Sequence, residues 1–211
     1  MDGGTDIVKR AADAGMSALG LIVLAPALVA IALSVKVSSP GPIFFFQERV
    51  GRNGKKFKLI KFRTMTHEPG RAGLGITARG DPRITPVGRI LRKYKLDELP
   101  QLLNVLRGDM SIVGPRPELE KYVEQFASDY RDILRVRPGL TDPAALAFRD
   151  EEQVLASFAD PERAYVETVL PRKLQLSRDY AAKAGLRSDV KVIALTAWLI
   201  TFGRESTTRE R

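Results

Sequence analysis

A charge-free apolar segment near the N-terminus constrains this chain more than any other feature. Residues 14–35 contain no charged side chain, and their number is close to the roughly 20 that a helix needs to cross a bilayer. Basic residues lie on both sides, at Lys9, Arg10 and Lys36. Its length, its flanking charges and the missing small-residue cleavage pattern argue against a secretory signal. We therefore predict a membrane helix that the mature protein keeps; a buried helix of a soluble core is the weaker alternative.

Pro26 stands in the middle of this segment. A proline inside a helix removes one backbone hydrogen bond and clashes with the preceding turn, so a kink is expected. Because basic residues flank both ends, the excess of cytoplasmic positive charge favours neither orientation. A helix that enters the membrane, bends at Pro26 and leaves by the same face satisfies both flanks. A kinked helix that crosses the membrane is the alternative, and these residues alone leave both open.

Charge and composition restrict the partners. The 211 residues are enough for one domain with a core and a membrane element. The formal net charge of +9 indicates anionic partners such as nucleic acid, phospholipid or phosphorylated small molecules. Without cysteine and with a single histidine, the chain cannot form disulfides, use thiol catalysis or build a multi-histidine zinc site. Any metal would be a hard, oxygen-liganded ion such as Mg²⁺, and His67 is interpreted as a solvated loop residue.

A β-hairpin is predicted after the apolar segment. Two aromatic and β-branched runs, at 43–46 and 57–62, flank a turn that contains Asn53-Gly54, and Asn-Gly is a strong tight-turn signal. Lys61 and Arg63 are two residues apart and are expected to project from the same face of the second strand. The Gly-, Arg- and Thr-rich stretch at 65–81 has no periodicity and predicts a loop, which either closes over a substrate or simply connects two elements.

The remainder reads as mostly helical, so the predicted fold class is α+β with a small hairpin and an N-terminal membrane helix. Thr85-Pro86 is typical of a helix start. The last apolar stretch ends near Trp198 and predicts either a core helix or a membrane-interface helix. The further predicted helices cover 97–108, 119–134, 161–184 and 190–200.

Asp97 and Glu98 are adjacent carboxylates at a predicted helix start. Free backbone N–H groups and the helix dipole favour negative charge there and also attract phosphate. An ionised aspartate beside a neutralised phosphoryl group is a competent nucleophile. The alternative is structural: Asp97 would be the N-cap, and Glu98 a first-turn residue that complements the dipole.

Basic residues near this acidic pair favour phosphate chemistry. Phosphoryl transfer depends on positioning and on the neutralisation of charge on the phosphate oxygens by Arg, Lys and Mg²⁺. Arg116 lies between two prolines and is held by a stiff loop, unless that loop is a plain structural turn. Arg137-Pro138-Gly139 is a similar, weaker signal. The segments that are expected to converge on the start of the Asp97 helix carry Lys61, Arg63, Arg92 and Arg116.

Taken together in their order, these motifs resemble the bacterial sugar transferase family, the monotopic polyprenyl-phosphate phosphoglycosyl transferases, in a minimal catalytic form. Each motif alone is weak, but their ordered occurrence from about residue 5 to 200 is specific. The matching elements are the apolar segment with Pro26, Lys61-Phe62-Arg63-Thr64-Met65, Leu96-Asp97-Glu98-Leu99-Pro100-Gln101, Asn104-Val105-Leu106-Arg107-Gly108-Asp109-Met110-Ser111, Val113-Gly114-Pro115-Arg116-Pro117 and Arg137-Pro138-Gly139-Leu140-Thr141.

The resemblance implies an enzyme that moves a phospho-sugar from a UDP-sugar to polyprenyl (undecaprenyl) phosphate and releases UMP. It implies Asp97 as the nucleophile of a covalent phosphosugar intermediate and Glu98 as its partner, with both carboxylates near Mg²⁺. It implies Lys61, Arg92 and Arg116 for the phosphate and nucleotide pocket. The residues predicted to bind substrate phosphate or nucleotide also include Arg63, Arg137 and Arg149.

The resemblance also implies a topology and a domain organisation. Residues 1–40 would form a re-entrant anchor in membrane phospholipid, 41–203 a catalytic domain on the cytoplasmic face of the inner membrane, and 204–211 a polar tail. A homodimer is left open.

One stretch departs from the family pattern. Where many members carry Gly-Trp-Ala-Gln-Val-Asn-Gly-Arg, this chain has Asp142-Pro143-Ala144-Ala145-Leu146-Ala147-Phe148-Arg149, so the sugar-facing part of the site is expected to differ. A non-catalytic basic scaffold on the membrane surface is the rival interpretation. A nucleic-acid binder is disfavoured, because the basic residues are dispersed and no zinc-finger, RNP or basic-zipper pattern is present.

Overall fold

The computed structural model describes residues 3–66, 81–149 and 151–202. Over these ranges the fold is α+β and mostly helical, with an antiparallel hairpin, β1–β2, and a short parallel pair, β3–β4. The predicted loop residue His67 and the predicted tail at 204–211 lie outside the described residues. The strands are β1 (Phe44–Val50), β2 (Lys56–Phe62), β3 (Ser111–Val113) and β4 (Gly139–Thr141). The α-helices are α1 (Gly3–Ser38), α2 (Pro86–Lys93), α3 (Leu102–Arg107), α4 (Glu120–Gln125), α5 (Ala127–Ile133), α6 (Pro143–Ala147), α7 (Glu151–Leu155), α8 (Pro161–Ala164), α9 (Leu170–Ala182) and α10 (Leu186–Phe202).

Helix α1 contains the apolar segment and continues through Pro26. By length and composition it is the one described helix that could cross a membrane, with a mean hydropathy of 2.6 over its most apolar stretch. Only 6% of that stretch is buried inside the protein. The predicted membrane helix is therefore present as a helix, whereas its re-entrant path stays a prediction.

The hairpin is confirmed. Strands β1 and β2 pair antiparallel, from Phe44 opposite Phe62 to Val50 opposite Lys56. The connecting turn has two residues with positive φ, Asn53 at 57° and Gly54 at 76°, which is the conformation that Asn and Gly tolerate best.

Helix α2 begins as its sequence predicts. The Thr85 hydroxyl accepts a hydrogen bond from the Gly88 backbone N–H at 2.9 Å, so Thr85 is the N-cap. A Cβ on Gly88 would lie 2.0 Å from the carbonyl oxygen of Thr64. Because only glycine permits this contact, α2 lies directly on the chain that leaves β2.

The helix predicted from Asp97 differs at its start. Lys95 is the N-cap residue, with a φ of 56°, and a 3₁₀ helix runs over Leu96–Gln101 before α3. Pro100 lies inside this 3₁₀ helix and has no N–H to donate to a carbonyl three or four residues earlier. Asp97 is therefore not the N-cap, and the structural alternative for this residue does not hold. The end at Gly108, with a φ of 94°, is as predicted.

The C-terminal half is a helical subdomain around buried aromatic and aliphatic side chains. The helix predicted over 119–134 is two helices, because Phe126 leaves the helical conformation (φ −117°, ψ 39°) between α4 and α5 and packs against the core. The path predicted over 161–184 is helical, with a π-helical turn at Tyr165–Val169 between α8 and α9. The core of this helical subdomain comprises Tyr122, Tyr130, Ile133, Leu155, Ala164, Tyr165, Val169, Leu170 and Leu174.

Candidate active site

Glu98 is the centre of a buried charge cluster. Its Oε1 lies 2.9 Å from Lys61 Nζ and 2.6 Å from Arg116 Nη2, and its Oε2 accepts from Arg116 Nη1 at 3.3 Å. The Arg116 fork therefore grips both carboxylate oxygens, a geometry that lysine could not supply. We call Lys61, Asp97, Glu98 and Arg116 the Glu98 cluster.

Asp97 lies in the same 3₁₀ helix but in a different environment. Its side chain is buried, with 7% of the residue exposed, and its Oδ1 has no hydrogen-bond partner among the described residues. A buried carboxylate oxygen without a partner is costly. The Asp97 Oδ1 atom is therefore a candidate to contact a ligand or to react with one.

The two carboxylates have opposite pKa shifts. Burial raises the pKa of Asp97, although the charges of Lys61 and Arg92 oppose it. Burial acts on Glu98 in the same direction, but the charges and hydrogen bonds of Arg116 and Lys61 outweigh it and hold the pKa of Glu98 well below its usual range. Glu98 is thus firmly ionised, while Asp97 is the more basic of the pair.

The two basic partners are shifted in different directions as well. Burial lowers the pKa of Lys61, and the charge of Glu98 only partly compensates. The pKa of the Arg116 guanidinium is raised, chiefly by the charge of Glu98. Arg116 is therefore a permanent charge in this site, whereas the charged form of Lys61 is disfavoured by burial and favoured by Glu98.

Three chain segments bring this cluster together. Lys61 comes from the end of β2, Asp97 and Glu98 from the 3₁₀ helix, and Arg116 from the loop after β3. Asn104 of α3 fixes the first two: its Oδ1 accepts from the Ile60 N–H at 3.1 Å, and its Nδ2 donates to the Lys58 carbonyl at 2.8 Å. The outer edge of β2 is thereby tied to the helix that follows Glu98.

The other predicted basic residues lie in different surroundings. Arg92 contributes to the electrostatics of Asp97, and its Nη1 lies 3.5 Å from Thr64 Oγ1. Arg63 does not share the surroundings of Lys61: it follows the end of β2, and its Nη2 donates to the carbonyl of Ser39 at 2.7 Å, just after α1. The expected convergence of Arg63 on the acidic pair is not seen.

Arg137 and Arg149 contact other parts of the fold. Arg137 pairs with Asp6 of α1 at 2.9 Å, and Arg149 donates to the carbonyl of Leu199 in α10 at 3.1 Å. For both residues, a role in binding substrate phosphate stays a prediction.

Sequence reasoning missed a second buried cluster, in which α1 meets β3 and α10. Lys9 Nζ donates to the Val113 carbonyl at 3.1 Å and pairs with Asp189 Oδ2. Asp189 Oδ1 accepts from the Tyr180 hydroxyl at 2.6 Å. Asp13 accepts from the Ser111 hydroxyl at 2.7 Å and from the Ile112 N–H at 3.2 Å. We call Lys9, Asp13, Ser111, Tyr180 and Asp189 the Lys9 cluster.

The missed residues left different traces in the sequence. Lys9 and Asp13 are spaced i, i+4 in α1, which is the spacing of a helical ion pair, but nothing in the sequence indicates Asp189 as the distant partner. Asn104 and Asp142 gave no signal besides their polarity. Both bind backbone groups of segments that lie far away along the chain.

Comparison with known proteins shows the family of this chain. Residues 4–203 match the family model described as bacterial sugar transferase, and the chain belongs to this family. The UDP-glucose:undecaprenyl-phosphate glucose-1-phosphate transferase of Escherichia coli is 35% identical over 202 residues, which cover 94% of this chain and 41% of that relative.

Two further relatives are similar over a shorter stretch. The UDP-N-acetylgalactosamine-undecaprenyl-phosphate N-acetylgalactosaminephosphotransferase of Aeromonas hydrophila is 41% identical over 139 residues, 64% of this chain and 32% of that relative. The exopolysaccharide production protein ExoY of Sinorhizobium fredii is 45% identical over 150 residues, 64% of this chain and 66% of that relative. The chain thus spans well under half the length of the first two of these relatives.

Proposed function

We propose that this chain is a polyprenyl-phosphate phosphoglycosyl transferase, which moves a phospho-sugar from a UDP-sugar to undecaprenyl phosphate and releases UMP. The relatives named for undecaprenyl-phosphate transfer support the reaction class. Those two relatives are named for different sugars, so the sugar is not part of the proposal. The first membrane step of glycoconjugate assembly would be this transfer.

The contrast between Asp97 and Glu98 is the observation that carries the proposal. Adjacent carboxylates compete for the same cations, and here Glu98 holds both Lys61 and Arg116. Asp97 has a raised pKa and a buried oxygen that has no partner among the described residues. An ionised carboxylate that is not stabilised by hydrogen bonds is a better nucleophile than one held by an arginine fork.

The proposed reaction has two displacements at one phosphorus atom. In the first, an Asp97 oxygen attacks the phosphorus that carries the sugar, an O–P bond forms to Asp97, and the bridging P–O bond breaks so that UMP leaves. In the second, a phosphate oxygen of undecaprenyl phosphate attacks the same phosphorus. The bond to Asp97 breaks, the carboxylate is regenerated, and the lipid diphosphate sugar is formed. Neither step needs a proton from the protein.

Lys61 and Arg116 would supply positive charge to the phosphates. Transfer of a phosphoryl group is limited by charge on its oxygens and by alignment of the attacking and leaving atoms. Both cations are held in place before substrate arrives, because Glu98 binds them from the centre. Such prior positioning avoids reorganisation during the reaction.

A magnesium ion is part of the proposal, and the donor set decides how it would be held. The described residues contain no group of three or more His, Asp or Glu side chains that could enclose a metal. Mg²⁺ commonly binds through one or two carboxylates together with substrate phosphates, and the free Asp97 Oδ1 fits that mode. Glu98 fits it less well, because both of its oxygens already accept from cations. When bound, Mg²⁺ would neutralise charge on the diphosphate.

The direct test supplies purified protein with a UDP-sugar and Mg²⁺ in the absence of lipid. We expect one equivalent of UMP and, after acid quench, a mass increment on the peptide that contains Asp97. Undecaprenyl phosphate added later should discharge that increment. UMP that forms only when both substrates are present, with no increment, would replace the covalent route by direct transfer. No UMP under either condition would favour the membrane-surface scaffold.

We also propose that both ends of α1 lie on the cytoplasmic side of the inner membrane. Arg10 donates to the carbonyls of Val105 and Leu106 at 2.6 and 2.7 Å, and Ser17 donates to that of Leu102 at 2.5 Å. Near the other end, Val35 is buried together with Phe62 and Leu91. Both halves of the helix therefore contact the same globular domain.

The length between these contacts supports a re-entrant path. A Cβ on Gly20 would still touch Leu102 at 3.4 Å, and contact with the domain resumes at Leu28. The seven residues between them span about 10 Å as a helix, well short of the roughly 30 Å hydrocarbon core. A crossing helix would have to break one of the two sets of contacts.

Because the chain has no cysteine, single cysteines can test this topology. Ile7 and Val37 are 72% and 87% exposed and lie near opposite ends of α1. In the variants Ile7→Cys and Val37→Cys, an impermeant maleimide should label neither site in right-side-out vesicles and both in inverted vesicles. Labelling of one site from each side would establish a crossing helix.

A further inference from the structure

The loop that carries Arg116 starts from an unusually close backbone crossing. The loop follows β3, and β3 pairs in parallel with β4. A Cβ on Gly114 would lie 2.3 Å from the Arg137 carbonyl oxygen, and one on Gly139 would lie 2.0 Å from the Gly114 nitrogen. The two chains are therefore in direct backbone contact, and the residue that follows β4 lies beside the Arg116 loop.

That residue is Asp142, which is completely buried. Its Oδ2 accepts a hydrogen bond from the backbone N–H of Arg116 at 3.1 Å. Its Oδ1 accepts from the N–H of Ala145 at 2.5 Å and caps α6. One carboxylate thus joins the start of a helix to the backbone of the residue whose side chain grips Glu98.

The opposite end of the loop is held by a different set of groups. Arg49 Nη1 donates to the Pro117 carbonyl at 3.3 Å and to Glu118 Oε1 at 2.7 Å. The Val50 N–H donates to the Glu118 carbonyl at 3.0 Å. Pro115 and Pro117, on either side of Arg116, have no backbone N–H. The Arg116 N–H is therefore the backbone donor of this short stretch, and Asp142 accepts from it.

We infer that Asp142 is a positioning residue, which holds the backbone of Arg116 so that its guanidinium reaches both oxygens of Glu98. The inference deepens the proposed function, because it names a residue on which that site depends.

A carboxylate suits this position because two backbone N–H groups need separate acceptors. Asparagine offers one acceptor oxygen, so its amide NH₂ would face one of these two N–H groups, donor against donor. Serine can cap α6 but is too short to reach both groups. Burial raises the pKa of Asp142, against the two backbone hydrogen bonds and the charge of Arg116. Burial therefore disfavours the charged form of the Asp142 carboxylate, and its two hydrogen bonds to backbone N–H groups oppose that effect.

The structure offers a matched control for the capping role. Asp160-Pro161 starts α8 as Asp142-Pro143 starts α6, with the aspartate as N-cap and proline at the next position. The Asp160 side chain accepts from the N–H groups of Glu162 and Arg163, and the residue is exposed. Asp160→Asn alters a cap of the same local sequence in a part of the fold that has no hydrogen bond to Arg116.

The test is a double-mutant cycle on stability, which does not depend on enzymatic activity. The shift in the urea midpoint caused by Glu98→Gln is measured in the wild-type, Asp142→Asn and Asp160→Asn backgrounds. If Asp142 positions Arg116 for Glu98, the shift should shrink by about half or more in the Asp142→Asn background and stay unchanged in the Asp160→Asn background. Equal shifts in all three backgrounds would reduce Asp142 to a cap of α6.

Two further measurements keep the inference testable. If Asp142→Asn does not fold, Asp142→Ser retains a capping hydroxyl and takes its place in the same cycle. UMP release in the Asp142 variant should fall about 10- to 100-fold, as expected for a misplaced charged group, against little change for Asp160→Asn. If the wild-type protein releases no UMP, the proposed function fails, whereas the stability cycle still decides the role of Asp142.

Discussion

The Glu98 cluster and the Lys9 cluster are both buried, and both join distant parts of the chain through carboxylates and cations. In the Lys9 cluster, each oxygen of Asp13 and of Asp189 accepts a hydrogen bond. In the Glu98 cluster, Glu98 is equally satisfied, but Asp97 beside it has an oxygen with no partner among the described residues. The clusters thus differ at Asp97 Oδ1, and the Arg116 side chain is also more exposed, at 35%, than the Lys9 side chain, at 10%.

Under the proposed function, this difference distinguishes the Glu98 cluster, which would bind and react with substrate, from the Lys9 cluster, which holds elements together. A satisfied buried network holds elements together, and the Lys9 cluster holds α1 to β3 and α10. A partly satisfied one is costly unless something binds to it. The ionisable residues of the Lys9 cluster are also buried, but each carboxylate oxygen of Asp13 and Asp189 already accepts a hydrogen bond.

The largest expected effect sharpens the contrast within the Glu98 cluster. Asp97→Asn should lower phospho-sugar transfer by at least about a thousandfold, because it removes the attacking carboxylate. Its melting temperature should rise at neutral pH, since the raised pKa means that burial disfavours the charged form. Calorimetry and UMP release measure the two effects on one preparation. Retained turnover, or a fall in melting temperature, would contradict the assignment of Asp97.

Glu98→Gln should have the opposite effect on stability. It leaves Lys61 and the partly exposed Arg116 without their shared partner. Breaking a fully buried pair costs about 3–5 kcal/mol, and the exposure of Arg116 reduces the expected cost to about 1–3 kcal/mol. The free energy of unfolding, from urea titration, provides the comparison with Asp97→Asn. Equal stability of the two variants would mean that the adjacent carboxylates share their cations more evenly than the distances indicate.

Lys9→Met tests the other cluster. It should destabilise the protein by about 3–5 kcal/mol, because Asp189 loses its buried counter-ion, while the folded fraction should keep nearly wild-type transfer. Lys9→Met combined with Asp189→Leu should recover most of the lost stability, as replacement of buried pairs by apolar residues often does. A loss of transfer in the folded double variant would show that the Lys9 cluster also serves the active site.

The smallest effect concerns pH and separates activity from stability. Because the pKa of Glu98 is depressed, its contribution to stability is fully present above about 4.5, the usual value, and is lost only as the pH falls through the lower value in the folded protein. Asp97 should protonate at a pH above its usual 3.8. On acidification, the single-turnover rate should therefore fall before the stability difference between wild type and Glu98→Gln shrinks. The reverse order would exchange the roles of the two carboxylates.

Local sequence signals correctly predicted several elements. The Asn53-Gly54 turn, the Thr85 cap and the glycine end of α3 follow from backbone preferences within a few residues. The break at Phe126 and the 3₁₀ start at Leu96 were missed. The break at Phe126 accompanies the packing of its side chain against the core. The 3₁₀ helix that begins at Leu96 contains Pro100.

The sequence by itself determined the apolar N-terminal helix, the hairpin, the acidic pair and the family, because each depends on residues that are close together or on motifs in a fixed order. It also indicated Lys61 and Arg116 as partners of that pair. Only the tertiary structure showed that Glu98 binds Lys61 and Arg116, while Asp97 Oδ1 has no partner among the described residues. It also directed Arg63 to the end of α1 and Arg137 to Asp6, and placed Asp142 behind Arg116. Hydrogen bonds and burial between distant segments decide these matters, and no local pattern encodes which oxygen is left without a partner.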